Sequence, residues 1–171
     1  MSAEIVPENA LLAPPTTYEE WLCCFDLLKT GASADNGLVA AIGQGTLTTG
    51  GYIAAQFHQT LAETINVMLN NRIARFLKDL NMLISFNELL DIVPLFIRLR
   101  IEVRKCLFFT GLAFLDRDIK AELERSIREQ MAGFWNDTVS FLGRQTIENN
   151  NSELEDALFL IRRIELFTEA V

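Results

Sequence analysis

The residues able to carry chemistry are few. The chain has one imidazole, His58, and three thiols, Cys23, Cys24 and Cys106. A di-metal centre built inside a helical bundle needs two Glu-x-x-His pairs and further carboxylates, which one histidine cannot supply. A zinc site from His58 and the three cysteines is arithmetically open, but no pair among them has the usual ligand spacing. Cys106 also lies in a heavily apolar segment. No catalytic signature surrounds any of the thiols, so they read as small buried or half-buried hydrophobes of a reducing cytoplasm. The expectation is no metal, no cofactor and no catalytic residue.

Six of the nine glycines fall between Gly31 and Gly51, in a stretch that ends Gly-Gln-Gly-Thr-Leu-Thr-Thr-Gly-Gly at 43–51. Gly45 and Gly50 stand at the spacing of a phosphate-binding loop. Gly51, however, takes the place of the lysine that meets the phosphates, and no strand precedes. The segment reads as a connection between helices. Among the acids, Glu122/Glu124 and Asp116/Asp118 are two residues apart and point to different helix faces. A carboxylate–magnesium hydrolase therefore ranks last among the readings.

The bases are grouped differently. Acids outnumber bases six to one over residues 1–47 and six to two over 148–171, whereas Arg98, Arg100, Arg104 and Lys105 sit together mid-chain after Arg72, Arg75 and Lys78. Such side chains either snorkel outward and pair with Glu102 or Asp79, or line a groove for an acidic peptide or an anionic ligand. Twelve Phe and two Trp supply more apolar surface than a solitary bundle requires. These features define the candidate ligand-binding set: an apolar pocket closed by Phe96, Phe108, Phe109 and Phe134, with an anion held by Arg98 or Arg104.

The elements that must position these residues are helical. Residues 1–16 carry Pro7, Pro14 and Pro15 and read as an extended arm. Its Ile5, Val6, Leu11 and Leu12, with Glu4 and Glu8, suit docking on the bundle or on a second subunit. A capping box at Thr17–Glu20 starts the first helix, with Tyr18, Trp21, Phe25 and Leu28 on one face, and Gly31 ends it. Asp35 heads a short second helix through Leu38 and Ile42. After Gly50 and Gly51, Leu61, Ile65, Leu69, Ile73, Phe76, Leu80 and Leu83 repeat at helical spacing. A second box, Ser85–Glu88, opens a helix that is apolar on most faces, the expected central element, with Pro94 kinking or splitting it. A fifth follows Asp116 with the stripe Ile119, Leu123, Ile127, Met131, Phe134, Thr138 and Phe141. A loop at 148–151 precedes a last box at Ser152–Glu155 and a helix facing in through Leu158, Ile161 and Ile164.

No segment alternates as a strand does, and no internal repeat is found. The expected fold is all-α: an antiparallel bundle of four long helices with one or two short N-terminal helices, over residues 17–171 as a single domain. The chain has 171 residues, 50% of them hydrophobic, and a net charge of −8. That length buries a core without staples, and that charge argues against a nucleic-acid partner. The N-terminus lacks the basic region of a signal peptide. The apolar, charge-free run from Cys106 to Leu115 is half of the ~20 residues that a membrane span requires, so the chain reads as cytoplasmic. Surplus aromatics without a convergent catalytic set point to a non-enzymatic interaction module, self-associating as a homodimer or binding a protein or peptide. A small-molecule sensor using the Phe and Arg set is the alternative.

Overall fold

The computed structural model describes residues 13–30, 36–47 and 51–167. Among them all regular structure is helical: α1 Tyr18–Lys29, α2 Asn36–Gly43, α3 Gly51–Ser85, α4 Ile92–Leu107, α5 Arg117–Asn149 and α6 Ser152–Ile161. Short 3₁₀ turns at Leu89–Asp91 and Phe108–Gly111 flank α4. No strand occurs among the described residues, and no helix there is long and apolar enough to cross a membrane. The arm's residues 1–12, Gly31, Asp35 and Gly50 lie outside the described residues. Two helices are long, α3 and α5, whereas α6 has ten residues.

The chain divides into two compact units. One takes the described residues up to Thr64 with Leu112–Phe114; the other takes Ile65–Gly111 and the described residues from Leu115. In the first, α1 begins where the sequence places it. The Thr17 hydroxyl accepts from the Glu20 N–H, and Glu20 Oε2 accepts from the backbone N–H groups of Thr16 (2.7 Å) and Thr17 (3.1 Å). These bonds hold the Glu20 carboxyl below its usual range. The buried face of α1 is Trp21, Cys24, Phe25 and Leu28. Trp21 packs edge-on to Phe57 of α3 with centroids 5.2 Å apart, and against Phe25 and Phe114 at 5.7 and 5.4 Å. Leu38, Ala41 and Ile42 of α2 are buried as well.

The second unit holds a second aromatic cluster. Phe96 of α4 meets Phe76 of α3 at 5.0 Å and Trp135 of α5 at 4.8 Å, both edge-on. The same unit also buries Leu69 and Leu80 of α3, Ile127, Met131 and Leu142 of α5, and Leu158 and Ile161 of α6. Buried Thr138 needs no distant partner, because its hydroxyl donates to the Phe134 carbonyl one turn back.

Several boundaries differ from the sequence reading, each for a local reason. Ser85–Glu88 does not open a helix: α3 runs through Ser85 and stops at Asn87, whose φ of 58° is left-handed. The 3₁₀ turn follows, and Pro94 stands in the first turn of α4, where its missing N–H costs nothing. The α5–α6 connection is only Asn150 and Asn151. Asn150 ends α5 at φ 47°, and Asn151, rather than Ser152, caps α6 by accepting from the Leu154 N–H. The buried stripe of α5 passes through Trp135 and Leu142, leaving Phe134 half-buried and Phe141 exposed. One residue along a helix turns a side chain by about 100°, so the step from Phe134 to Trp135 moves the side chain from the edge of the core face to its interior.

Candidate functional site

In the second unit, α3 and α4 frame an open groove of about 250 Å³. Its floor is the buried Phe76, Leu95 and Leu99, and its edge carries Ile101 and the charged Arg72, Arg75, Arg98, Asp79 and Glu102. Helical spacing explains the convergence. Arg72, Arg75, Phe76 and Asp79 are three and four apart on α3, while Leu95, Arg98, Leu99 and Glu102 repeat that spacing on α4.

The rim cations are held in two ways. Arg72 Nε donates to Glu102 Oε2 at 3.3 Å and Arg72 Nη1 to the Met68 carbonyl at 3.0 Å, while Lys105 Nζ donates to Glu102 Oε1 at 2.6 Å. Burial raises the Glu102 carboxyl, but the hydrogen bond and charge of Lys105, together with Arg72, outweigh it and leave the group below its usual range. Arg75 and Arg98 are exposed, and neither has an ion-pair partner among the described residues.

The outward side of α4 borders this groove. Its inward face is Ile92, Leu95, Phe96, Leu99, Val103 and Cys106. Leu90, Ile97, Ile101 and Phe108 lie on the opposite side and are 84%, 43%, 49% and 39% exposed. Successive members are seven, four and seven residues apart, so they form one stripe along the helix and its flanking turns. Ile101 belongs to both stripe and groove. The helix read as central is thus buried on one side only; its all-round apolarity reflects a core face and an outward face.

The residues singled out from sequence are distributed unevenly. Arg98 lines the groove. Phe96 lies fully buried beneath Phe76, and half-buried Phe134 meets the same Phe76 ring at 5.6 Å. Arg104 is half-buried and outside the groove lining; Phe108 and Phe109 pack edge-on at the far end of α4, one exposed and one buried. The groove members Phe76, Leu95, Leu99 and Ile101 escaped the candidate set. The signal available for them was the matching three- and four-residue spacing of Arg with apolar residues on successive helices.

A second open concavity lies along α5 and α6, where Ile147 and Phe159 are 82% and 55% exposed beside Arg144, Arg162, Glu155 and Asp156. The Arg163 guanidinium stacks 4.0 Å from the Phe159 ring centroid. Among the described residues no three His, Cys, Asp or Glu side chains converge as a metal site. Gly45 has a packing function: its Cα lies so close to Trp21 that a Cβ would stand 2.5 Å from the indole. No protein-family model matches the chain, and comparison with curated proteins and with solved structures finds no match either.

Proposed function

We propose that this chain is a non-enzymatic helical interaction module that acts through the outward face of α4. The observation that carries the reading is the exposed stripe Leu90, Ile97, Ile101 and Phe108 on a helix whose other face is core. A contiguous apolar patch of this kind marks a binding surface, and anchors at heptad-like spacing are what a docked amphipathic helix uses. In this reading α3 to α6 of the second unit run as an antiparallel bundle that holds α4 rigid. Self-association belongs to the same proposal and is assigned to the Ile147 and Phe159 surface, where both signs of charge occur, as an isologous contact requires.

The test is binding of a neutral amphipathic helical peptide, followed by fluorescence anisotropy. Wild type binds it, and the double variant Ile97→Ser, Ile101→Ser binds at least ~10-fold more weakly, since each exposed apolar anchor contributes on the order of 1 kcal/mol. Equal binding by the two proteins, or binding by neither, overturns the reading. Light scattering decides the second half: a 19.3 kDa particle at high micromolar concentration removes self-association.

One observation favours a second reading. Two cations that have no ion-pair partner among the described residues, beside apolar lining, also suit a small apolar anion, with Arg75 and Arg98 as its anchors. Thermal shift against aromatic acids and fatty acids discriminates. Stabilisation of wild type that is lost in Arg98→Gln supports this ligand, and uniform silence removes it.

A further inference from the structure

The charges around the stripe narrow its occupant. With 3.6 residues per turn, Arg98 and Lys105 follow the line Leu90–Ile97–Ile101–Phe108 on one side, and Arg100 and Arg104 follow it on the other. The one acid of α4, Glu102, lies farther round and is already bonded to Arg72 and Lys105. The protein as a whole has a net charge of −8, yet here an apolar stripe runs between two basic borders. We propose that this face takes an acidic amphipathic helix of a partner protein. The partner's apolar side lies along Leu90, Ile97, Ile101 and Phe108, and one of its carboxylates enters the groove between Arg75 and Arg98. The inference rests on the interaction-module reading and adds the chemical class of the partner.

Charge complementarity decides against the other occupants. Two copies pairing stripe to stripe would bring Arg98 and Arg104 against their counterparts, and like charges juxtaposed at an interface oppose association. An anionic membrane would attract the borders but repel a body of net charge −8. The groove beside Ile101 is a concavity lined by Phe76, Leu95 and Leu99, with three cations, Arg72, Arg75 and Arg98, against two acids, Asp79 and Glu102, the latter bonded to Arg72 and Lys105. A flat lipid surface leaves it unfilled, whereas a helix fills it with one apolar anchor and one acidic side chain.

The experiment uses the full chain and four probes: a Leu/Glu amphipathic helical peptide, the same pattern with Gln for Glu, the same with Lys for Glu, and vesicles of mixed phosphatidylserine and phosphatidylcholine. The expected order is Glu above Gln above Lys, with the Glu peptide at least tenfold tighter than Gln at low salt and that margin shrinking as salt rises. Arg75→Glu with Arg98→Glu, both at exposed positions, inverts the order so that the Lys peptide binds above the Glu peptide; a variant that still prefers Glu overturns the assignment of these two arginines. Circular dichroism of the variant, unchanged from wild type, excludes misfolding as the cause. Equal affinity for Glu and Gln peptides overturns this inference while leaving the module reading in place. Failure of all three peptides overturns both. Binding of vesicles in preference to every peptide overturns the choice of a protein partner.

Discussion

Arg72 of α3 and Glu102 of α4 face each other at the groove rim, with Nε and Oε2 3.3 Å apart. The pair joins two helices whose residues are 30 positions apart in the chain, and Lys105 completes it from the next turn of α4. Its effect on the site is to engage one of the two acids that line the groove, Asp79 being the other. Glu102 accepts from Arg72 and Lys105, which leaves Arg75 and Arg98 as the cations a visiting anion would meet.

That arrangement predicts an acid-side stability change. Glu102 titrates below its usual range in the folded chain. It therefore contributes stability that is present above the ordinary glutamate pKa and is lost as pH falls through the lower folded value. The Glu102 side chain is 39% exposed, so the expected cost of Glu102→Gln at pH 7 is small, on the order of 1 kcal/mol or less. Urea titrations at pH 7 and pH 3 check it. The gap between wild type and variant should narrow as pH falls from 7 to 3; a gap of equal size at both values would show that Glu102 acts through packing and not through its charge.

The cysteines should react in a fixed order. Cys23 is exposed, whereas Cys24 and Cys106 are buried. Burial raises the Cys24 thiol, with the neighbouring Cys23 and Glu20 charges adding to it. Burial also pushes Cys106 up to about 11, against a lowering contribution from Arg72. The thiolate is the reactive form, so maleimide at pH 8 should modify Cys23 within the dead time of the other two, and Cys106 last. Peptide mapping by mass spectrometry reads the order. The same shift has a stability consequence at high pH: with its folded value raised, Cys106 stabilises the fold below about 9 and that contribution declines as pH rises from about 9 towards about 11. Modification of Cys106 as fast as Cys23 in the native protein would contradict the packing described for α4.

Legibility from sequence followed the range of the interaction. The α1 start was readable because Thr17 and Glu20 satisfy each other within four residues, and the apolar period of α3 was readable because 3.6-residue spacing is local. The ends of α3 and α5 were not, because they depend on Asn87 and Asn150 adopting left-handed backbone, which asparagine tolerates without announcing. In α5, Phe134 and Trp135 are both plausible core residues by type, and it is the tertiary arrangement that buries Trp135 against the Phe96 ring and leaves Phe134 half-buried beside Phe76. The outward stripe of α4 was invisible for a similar reason. A sequence shows that a helix is apolar all round, but which of its faces finds a partner within the chain is decided by α3, α5 and α6. Arg98 was identified as a candidate from charge grouping, and Arg75 belonged to the same basic group; its groove partner Phe76 required the tertiary arrangement.

The glycine-rich connection yields the last prediction, because its tightly packed Gly45 can be compared with Gly37, beside which a Cβ finds open space. Thr46 ties the connection down twice: its N–H donates to the Pro15 carbonyl at 2.9 Å, and its carbonyl accepts from Trp21 Nε1 at 3.0 Å. Between these two bonds Gly45 presses on the indole. A Cβ there would stand 2.5 Å from Trp21 Cζ2, 2.9 Å from Cη2 and 3.0 Å from Pro15 Cγ. Trp21 has no exposed surface and is held by Phe25, Phe57 and Phe114, so the ring cannot turn aside cheaply. Gly45→Ala should therefore destabilise by about 1–3 kcal/mol, the usual cost of overpacking, lowering the Tm by roughly 2–4 °C per kcal/mol for a chain of this size. Gly37 of α2 is the control, since a Cβ there meets nothing within 4 Å. Gly37→Ala, in the first turn of α2, lowers the entropy of the unfolded chain without a clash and should stabilise by up to about 0.5 kcal/mol, less than the same exchange in mid-helix. Thermal melts by circular dichroism, with tryptophan emission reporting on Trp21, should show shifts of opposite sign for the two variants. If Gly45→Ala melts with or above wild type, the connection yields to a methyl group and the close approach to Trp21 does not constrain it.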